Sequence, residues 1–391
     1  MVFMLREIWG RKDAVYLNRV VKSSTIGLMT KKIRVGILFG GKSAEHEVSL
    51  QSAKNVVDAI DKDKYEVSLI GIDKTGRWLL PDQAKFLLNA GDPKLIKLNQ
   101  ENKQGVIIAP QSGGQLTGLS DKDPRSTIDV IFPILHGPFG EDGTVQGLLK
   151  LAGVPFVGAG VLASAVGMDK DIAKRLLRDA GISIGKYLTI KESDTIDFET
   201  AAADLGSPFF VKPANLGSSV GISKVKSEAE FEKAVSEAFQ YDTKVLIEEF
   251  IAGRELECSA LGNQDPVASG VGEVISNHDF YSYEAKYIDE HGAGLEIPAN
   301  ISTETSEQVR DLAIKTFKAL SCEGLARVDL FLKSDGSLVV NEINTMPGFT
   351  NISMYPRLWE ASGISYSELI DRLIALALER FKREKRLKNS Y

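Results

Sequence analysis

At 391 residues the chain has room for two or three domains with sizeable cores. Its 43% hydrophobic and 26% charged residues exclude a disordered or fibrous class, and a net charge of −6 argues against a general nucleic-acid binder. Two cysteines, Cys258 and Cys322, exclude a disulfide framework, and no apolar run approaches the ~20 residues of a membrane helix, so a cytoplasmic protein is expected.

Residues 1–28 carry five basic and two acidic side chains, show no clear strand or helix period, and lack the apolar core of a secretory signal. Together, residues 1–32 read as an N-terminal extension, with Met29 as an alternative start. Residues 33–39 form an apolar run followed by Gly40-Gly41. A helix-period stretch with Val48, Leu50, Val56, Val57 and Ile60 comes next. Strand, glycine turn and helix open a parallel α/β sheet, and residues 66–72 supply a second strand. Ligands in such sheets bind beyond the carboxyl ends of the strands, and Glu45 and His46 lie just past one such end. Gln111-Ser112-Gly113-Gly114 predicts a hairpin turn. Residues 128–135 predict a buried strand running into His136-Gly137-Pro138-Phe139-Gly140-Glu141-Asp142-Gly143, with a helix after it through Leu151. The first domain is placed at 33–157.

A second unit, 158–254, starts with a helix after Asp169-Lys170. It continues with a strand at 186–190, a helix near 195–205 and a strand at 209–212. A loop at 213–219, a short strand, a helix at 227–240 and a strand at 244–250 complete it. The third unit, 255–391, has strands at 255–261 and 267–274, a polar loop at 276–296, a helix at 303–320, a hairpin, and a final helix at about 365–386. The basic end of that helix reads as a solvated face complementing the helix dipole. The elements give an α/β and α+β class in three domains.

The hairpin at 325–350 carries the strongest chemical signal. Two apolar, β-branched runs flank Asp335-Gly336, which predicts a two-residue loop with Ser334 facing Ser337. That register sets Asp329 opposite Glu342 and Arg327 opposite Asn344, all on one face. Like charges directly opposite destabilise a hairpin, so two carboxylates and an amide oxygen there suggest a hard cation between them, Mg²⁺ in particular. An ordinary solvated polar face is the alternative. The loop Lys212-Pro213-Ala214-Asn215-Leu216-Gly217-Ser218-Ser219-Val220-Gly221 follows a strand, and its small residues and hydroxyls suit an anion, as a plain tight turn also would. Glu248, Glu249, Phe250, Ile251 and Glu255 end a strand whose edge and acceptors suit an adenine and a ribose, or are simply solvated. Phe280 through Tyr287, a tyrosine-rich loop with Lys286, reads as a lid or as a packed aromatic loop. No nucleophile elbow or zinc pattern occurs, which leaves the chemistry to metal, lysines, arginine and positioning.

Together these segments resemble the D-alanine–D-alanine ligases of the ATP-grasp superfamily, over nearly everything from residue 33 to 380. The resemblance rests on Gly40-Gly-Lys-Ser-Ala-Glu-His-Glu-Val-Ser, the His136–Gly143 run, Met168-Asp-Lys, the 212–221 loop, Tyr283-Glu-Ala-Lys-Tyr, Arg327-Val-Asp and Asn341-Glu-Ile-Asn-Thr-Met-Pro-Gly, in that order. It implies a three-domain ATP-grasp architecture with ATP between the central and C-terminal domains. Lys170 and Lys212 would bind phosphates under the Ser218-Ser219 loop. Glu248, Glu249, Phe250, Ile251 and Glu255 would contact the nucleoside, with Lys286 on ATP and substrate. Asp329, Glu342 and Asn344 would hold two Mg²⁺, with Mn²⁺ as a substitute and K⁺ activation known in some relatives. Glu45 would take the first D-alanine's ammonium with His136 nearby, and Glu45, Ser218 and Tyr287 would dock the lid. Ser353 and the Met354 backbone would serve the second substrate.

The implied reaction passes through a D-alanyl phosphate, with Arg327 and the Gly348 N–H stabilising the oxyanion. It supplies D-alanyl-D-alanine for peptidoglycan precursors. The resemblance further implies a homodimer with no nucleic-acid or membrane partner. His46 stands where many members carry arginine. Tyr287 matches the form associated with D-Ala–D-Ala rather than D-alanine–D-lactate ligases, the nearest alternative. A non-catalytic ATP binder is the alternative from another class.

Overall fold

The computed structural model describes residues 31–81, 86–92, 95–99, 104–120, 124–218, 220–276 and 293–388. Three candidate residues, Ser219, Lys286 and Tyr287, lie outside the described residues, as do most of the expected lid and nearly all of residues 1–32.

The first sheet is built from β1 (Ile33–Gly40), α1 (His46–Ala59), β2 (Tyr65–Ile72) and β3 (Trp78–Leu79). Small antiparallel pieces follow: β4 (Leu87–Leu88) with β5 (Lys97–Leu98), then β6 (Val106–Ile108), β7 (Gln115–Gly118) and β8 (Pro124–Thr127). The turn expected at 111–114 joins β6 to β7. β9 (Val130–Ile134) then returns to the first sheet, whose order is β3-β2-β1-β9 with β1 parallel to both β2 and β9. Both faces of β1 are covered, so its run is apolar rather than alternating. Val35, Ile37 and Phe39 pack on one face with Leu50 and Val56 of α1, while Leu38 packs on the other with Val145 and Leu149 of α2 (Thr144–Ala152).

Two helices precede the second sheet, α3 (Val161–Met168), which the periodicity did not announce, and α4 (Lys170–Asp179). The sheet comprises β10 (Tyr187–Lys191), β11 (Phe209–Pro213), β12 (Ser223–Val225) and β13 (Lys244–Glu249), in the antiparallel order β10-β13-β11-β12. Its covering helices are α5 (Phe198–Leu205) and α6 (Glu228–Ala238), joined to it through Phe198, Phe209 and Phe231. The third sheet comprises β14 (Gly253–Gly262), β15 (Val267–Ser276), β16 (Ala293–Glu296), β17 (Gly324–Lys333) and β18 (Leu338–Asn344), ordered β16-β15-β14-β17-β18. α7 (Thr303–Ala319) lies across it, with Phe317 in the same cluster as Val328, Leu330, Val340 and Ile343. The chain ends in α8 (Met354–Ala361) and α9 (Tyr366–Glu384). α9 comes back to the first sheet, where Leu369, Ile370, Leu373 and Ile374 join the cluster of Val35, Phe39 and Phe132. Buried Arg380 fixes it there by donating Nη2–H to the Phe156 carbonyl (2.8 Å) while stacking on the Phe156 ring.

The β17–β18 hairpin pairs Arg327 with Asn344 and Asp329 with Glu342, as expected, but by another route. Its loop has three residues, Ser334-Asp335-Gly336. The Gly336 N–H donates to Lys333 O (3.0 Å), the Lys333 N–H to Ser337 O (2.9 Å), and Gly336 sits at φ +84°. That loop shifts the ladder one residue from the expected register, setting Leu330 opposite Val340. A bulge leaves Asn341 unpaired and restores the expected pairing beyond it. The core dictates this, because Val340 and Ile343 must both point into it. Without the extra residue, Glu342 would turn to that apolar face.

Candidate active site

The turn after β1 delivers Glu45 to the end of the first sheet. Gly40 takes φ +92° and lies so close to β2 that a Cβ would fall 2.2 Å from the Ile72 carbonyl, so only glycine fits. Glu45 stands at the N-cap position of α1 and is buried. Its carboxylate accepts the Ser218 hydroxyl, which brings the glycine-rich loop of the second unit onto the first. Ser218 sits in the left-handed region at φ +54°.

Behind Glu45 lies a second buried carboxylate, Glu141, which the sequence motif contained without marking. It accepts the Gly137 N–H (2.7 Å) and the Met346 N–H (3.0 Å). Burial and then the charge of Glu45 push its carboxyl well above the ordinary range, against the pull of those N–H groups and Arg327. Two buried carboxylates held together are relieved by a cation, and an ammonium group fits that requirement.

His136 engages both ring nitrogens within the protein. Nδ1 lies 2.9 Å from the Met346 carbonyl, which can only accept, so Nδ1 carries the proton. Nε2 therefore accepts from the Ser52 hydroxyl (3.1 Å), whose oxygen accepts the Phe349 N–H (3.1 Å). Burial drives the imidazole down to about 4, keeping it neutral. The 346–349 turn, which contains Gly348, is thus pinned to α1 and to the end of β9. Tyr366 and Asn55 hold the same turn through the Phe349 carbonyl.

On the third sheet, Glu257, Asp329 and Glu342 form one row across β14, β17 and β18. Arg327 donates Nε–H and Nη2–H to the two oxygens of Asp329 (both 2.7 Å), and its Nε also lies 2.8 Å from Glu257. The Asn344 amide oxygen accepts the Met346 N–H (3.1 Å). Among the described residues, no group of three or more His, Cys, Asp or Glu could hold a metal. The Asp329–Glu342–Asn344 set instead offers two carboxylates and an amide oxygen, which suits a cation that completes its shell with water or phosphate oxygens.

Lysines from the second unit face this row. Lys170, the first residue of α4 after the capping Asp169, donates to the Leu216 carbonyl (2.6 Å) and lies 3.6 Å from Glu342. Lys212 and Lys174 both pair with Glu248 on β13, all three buried. Burial pushes Glu248 up, but the two ammonium groups outweigh it and hold the carboxyl at about 2. Lys174 carried no sequence signal beyond its place on a helix. Glu249 accepts the Lys186 N–H (2.8 Å), and Phe250, at the end of β13, lies under the Lys224 ammonium (4.4 Å). Ile251 follows in the connection to β14, where Glu255 pairs with Phe331. Ser353 takes the N-cap position of α8 and Met354 its first turn, at the positive end of that helix's dipole.

The family profile described as D-ala D-ala ligase N-terminus matches residues 34–159, and the one described as D-ala D-ala ligase C-terminus matches residues 176–375. A D-alanine–D-alanine ligase of Shouchella clausii is 57% identical over 364 residues, covering 93% of this chain and 99% of the relative. The structure of the D-alanine-D-alanine ligase from Coxiella burnetii superposes with a TM-score of 0.80 at 39% identity, covering 91% of this chain and 96% of that one. VanG D-Ala:D-Ser ligase from Enterococcus faecalis gives 0.77 at 37% identity, covering 89% and 100%.

Proposed function

The chain belongs to the D-alanine–D-alanine ligase family, with the ATP-grasp fold, and from that premise we propose how its residues carry the reaction. It joins two D-alanines into D-alanyl-D-alanine for peptidoglycan precursors, using ATP and a divalent metal and releasing ADP and phosphate. The observation that carries the residue assignment is the meeting of Lys170 with Glu342, beside Asp329 and Arg327. A cation suited to phosphate there faces an anionic row suited to a metal.

Glu45, backed by Glu141, holds the ammonium of the first D-alanine, and Ser218 fixes the Glu45 carboxylate. The first carboxylate attacks the γ-phosphate of ATP, forming D-alanyl phosphate and ADP. Lys170 and Lys212 neutralise phosphate charge, while Ser218 and Ser219 cover the triphosphate. The nucleoside lies against Glu248, Glu249, Phe250, Ile251 and Glu255. Asp329, Glu342 and Asn344 would hold two Mg²⁺, which would supply positive charge to offset that of the transferring phosphoryl group. The second D-alanine, its carboxylate at Ser353, the Met354 N–H and Lys286, attacks the acyl carbon with its amine. Arg327 and the Gly348 N–H stabilise the tetrahedral oxyanion until phosphate leaves. His136 sets the position of Gly348 through Met346 and Ser52. Tyr287 and the 276–296 lid exclude the water that would hydrolyse the acyl phosphate.

A homodimer in the cytoplasm is the setting we propose, with Mn²⁺ able to replace Mg²⁺ and K⁺ as an activator. Among the described residues no helix is long and apolar enough to cross a membrane. The test is ATP-dependent phosphate release with Mg²⁺, supplying D-alanine, L-alanine, or D-alanine with D-lactate or D-serine. Release that requires D-alanine, yields the dipeptide and disappears in Glu342→Gln supports the assignment. Full activity of Glu342→Gln would remove the proposed metal site.

A further inference from the structure

A cavity of about 210 Å³ opens at the carboxyl end of the first sheet, on the face opposite α1. Its floor is apolar: Ile72 and Trp78 on one side, Leu135, Val145 and Leu148 on the other. An apolar cavity of ~150 Å³ accommodates a benzene ring, so this one takes a small substituted ring or a branched chain. Lys42 lies in its wall. Its ammonium sits 5.1 Å from the centre of the Phe139 ring, and among the described residues no carboxylate is paired with it. α2 starts at Thr144 on the same wall, adding the positive end of a helix dipole. The nearby carboxylate of Asp142 is engaged by the N–H groups of Phe139 (2.8 Å) and Thr144 (2.9 Å). Phe139 itself is held at φ +66° with its ring half exposed, a strained placement for an aromatic residue at the wall of a cavity.

The segments that wall the cavity also carry the first-substrate groups. Ser43 donates to the His136 carbonyl (2.6 Å) and accepts the Glu45 N–H (3.2 Å). Gly137 backs directly onto Glu45, where an added Cβ would lie 2.6 Å from its carboxylate. An occupant that parts Phe139 from Lys42 therefore pulls on residues in contact with Glu45.

We propose that this cavity is a second ligand site, separate from the D-alanine and ATP sites, that takes a small carboxylate with an aromatic or branched apolar body and weakens binding of the first D-alanine. The carboxylate pairs with Lys42 and the apolar body fills the floor. The coupling half of this proposal rests on the assignment of Glu45 to the first substrate; the binding half does not.

The probe is 3-phenylpropionate, followed by saturation-transfer NMR and equilibrium dialysis, with 3-phenylpropionamide as its uncharged counterpart. Saturable binding is expected. It weakens about tenfold for the amide and for Lys42→Met, the loss of one charge contact. Leu148→Phe fills the cavity and abolishes binding, while D-alanine-dependent phosphate release without probe stays within about twofold. Because coupling is reciprocal, D-alanine raises the probe's Kd by a finite factor that levels off, about three- to tenfold. Absence of saturable binding up to about 10 mM, or binding indifferent to both variants, overturns the site. A Kd that rises without limit as D-alanine is added means that the probe occupies the first-substrate site, and that also overturns it. A catalytically inactive protein that still binds the probe in this pattern would refute the assigned reaction and leave the site standing.

Discussion

Lowering the pH should loosen the turn that carries Gly348, and His136 sets how much. In the folded chain its imidazole is held at about 4, against 6.5 for a free histidine. Between those values the unfolded chain binds one more proton than the folded chain. Stability from this residue is therefore complete above pH 6.5, falls as pH drops through the window, and is gone at about 4. The gap is worth about 3 kcal/mol in all, of which about 2 kcal/mol is lost by pH ~5. Protonation puts a second N–H against the Ser52 oxygen, which already accepts from Phe349, so the Ser52 hydroxyl loses Nε2 as its acceptor and must turn its O–H elsewhere. Urea unfolding of the wild type and His136→Asn, from about pH 7.5 to about 5, isolates the effect, since other titrating groups cancel in the difference. The variant should start less stable and lose about 2 kcal/mol less over that range. Parallel pH profiles would refute the reasoning.

Glu141 should give the opposite sign. Its raised carboxyl makes the wild type lose stability as pH climbs above the ordinary carboxylate range, a slope that Glu141→Gln should flatten in the same unfolding assay. Removing the hydroxyl in Ser218→Ala or Ser218→Gly should raise KM for D-alanine about tenfold, because Glu45 loses its donor; an unchanged KM would refute the link. The glycine variant should also unfold about 1 kcal/mol later than the alanine variant, since φ +54° suits glycine. Lys174→Met leaves Glu248 with Lys212 alone and should cost about 2 kcal/mol in urea unfolding, with no loss telling against the shared pair.

What could be seen in the sequence was what depends on neighbours along the chain. The apolar run of β1, the glycine turn after it and the helix start at Asp169-Lys170 are local, and they lie close to where the pattern set them. The hairpin shows the limit of local signals. Asp335-Gly336 fits a two-residue loop and equally the second half of a three-residue one, because glycine takes a positive φ in both. The deciding feature is the adjacent polar pair Asn341-Glu342 between core-facing Val340 and Ile343, a break in alternation that marks a bulge. The two errors cancelled at Asp329 and Glu342. Lys174 and Glu141 were invisible for a different reason. Their roles come from partners 74 and 205 residues away, Glu248 and Met346, and no spacing along the chain encodes such pairings. His136 was visible as a residue, but that both its nitrogens serve protein partners emerges only once the first sheet meets the 346–349 turn.

Those long-range pairings explain how a site without a nucleophile can be built at all. Glu45 with Glu141, and Glu257 with Asp329 and Glu342, place carboxylates in two groups that Arg327 and Lys170 only partly offset. Such clusters weaken a fold unless something else holds their carriers in place. Here the holding is apolar and neutral: α9 packed on the first sheet, Arg380 on the Phe156 carbonyl, and the neutral His136–Ser52 chain on the turn with Gly348. On the proposed assignment, the scaffold keeps acidic groups where an ammonium and metal ions would sit. On that assignment, binding those cations would offset the crowding of acidic groups, so an arrangement that costs stability in the free protein would favour substrate and metal in the loaded one.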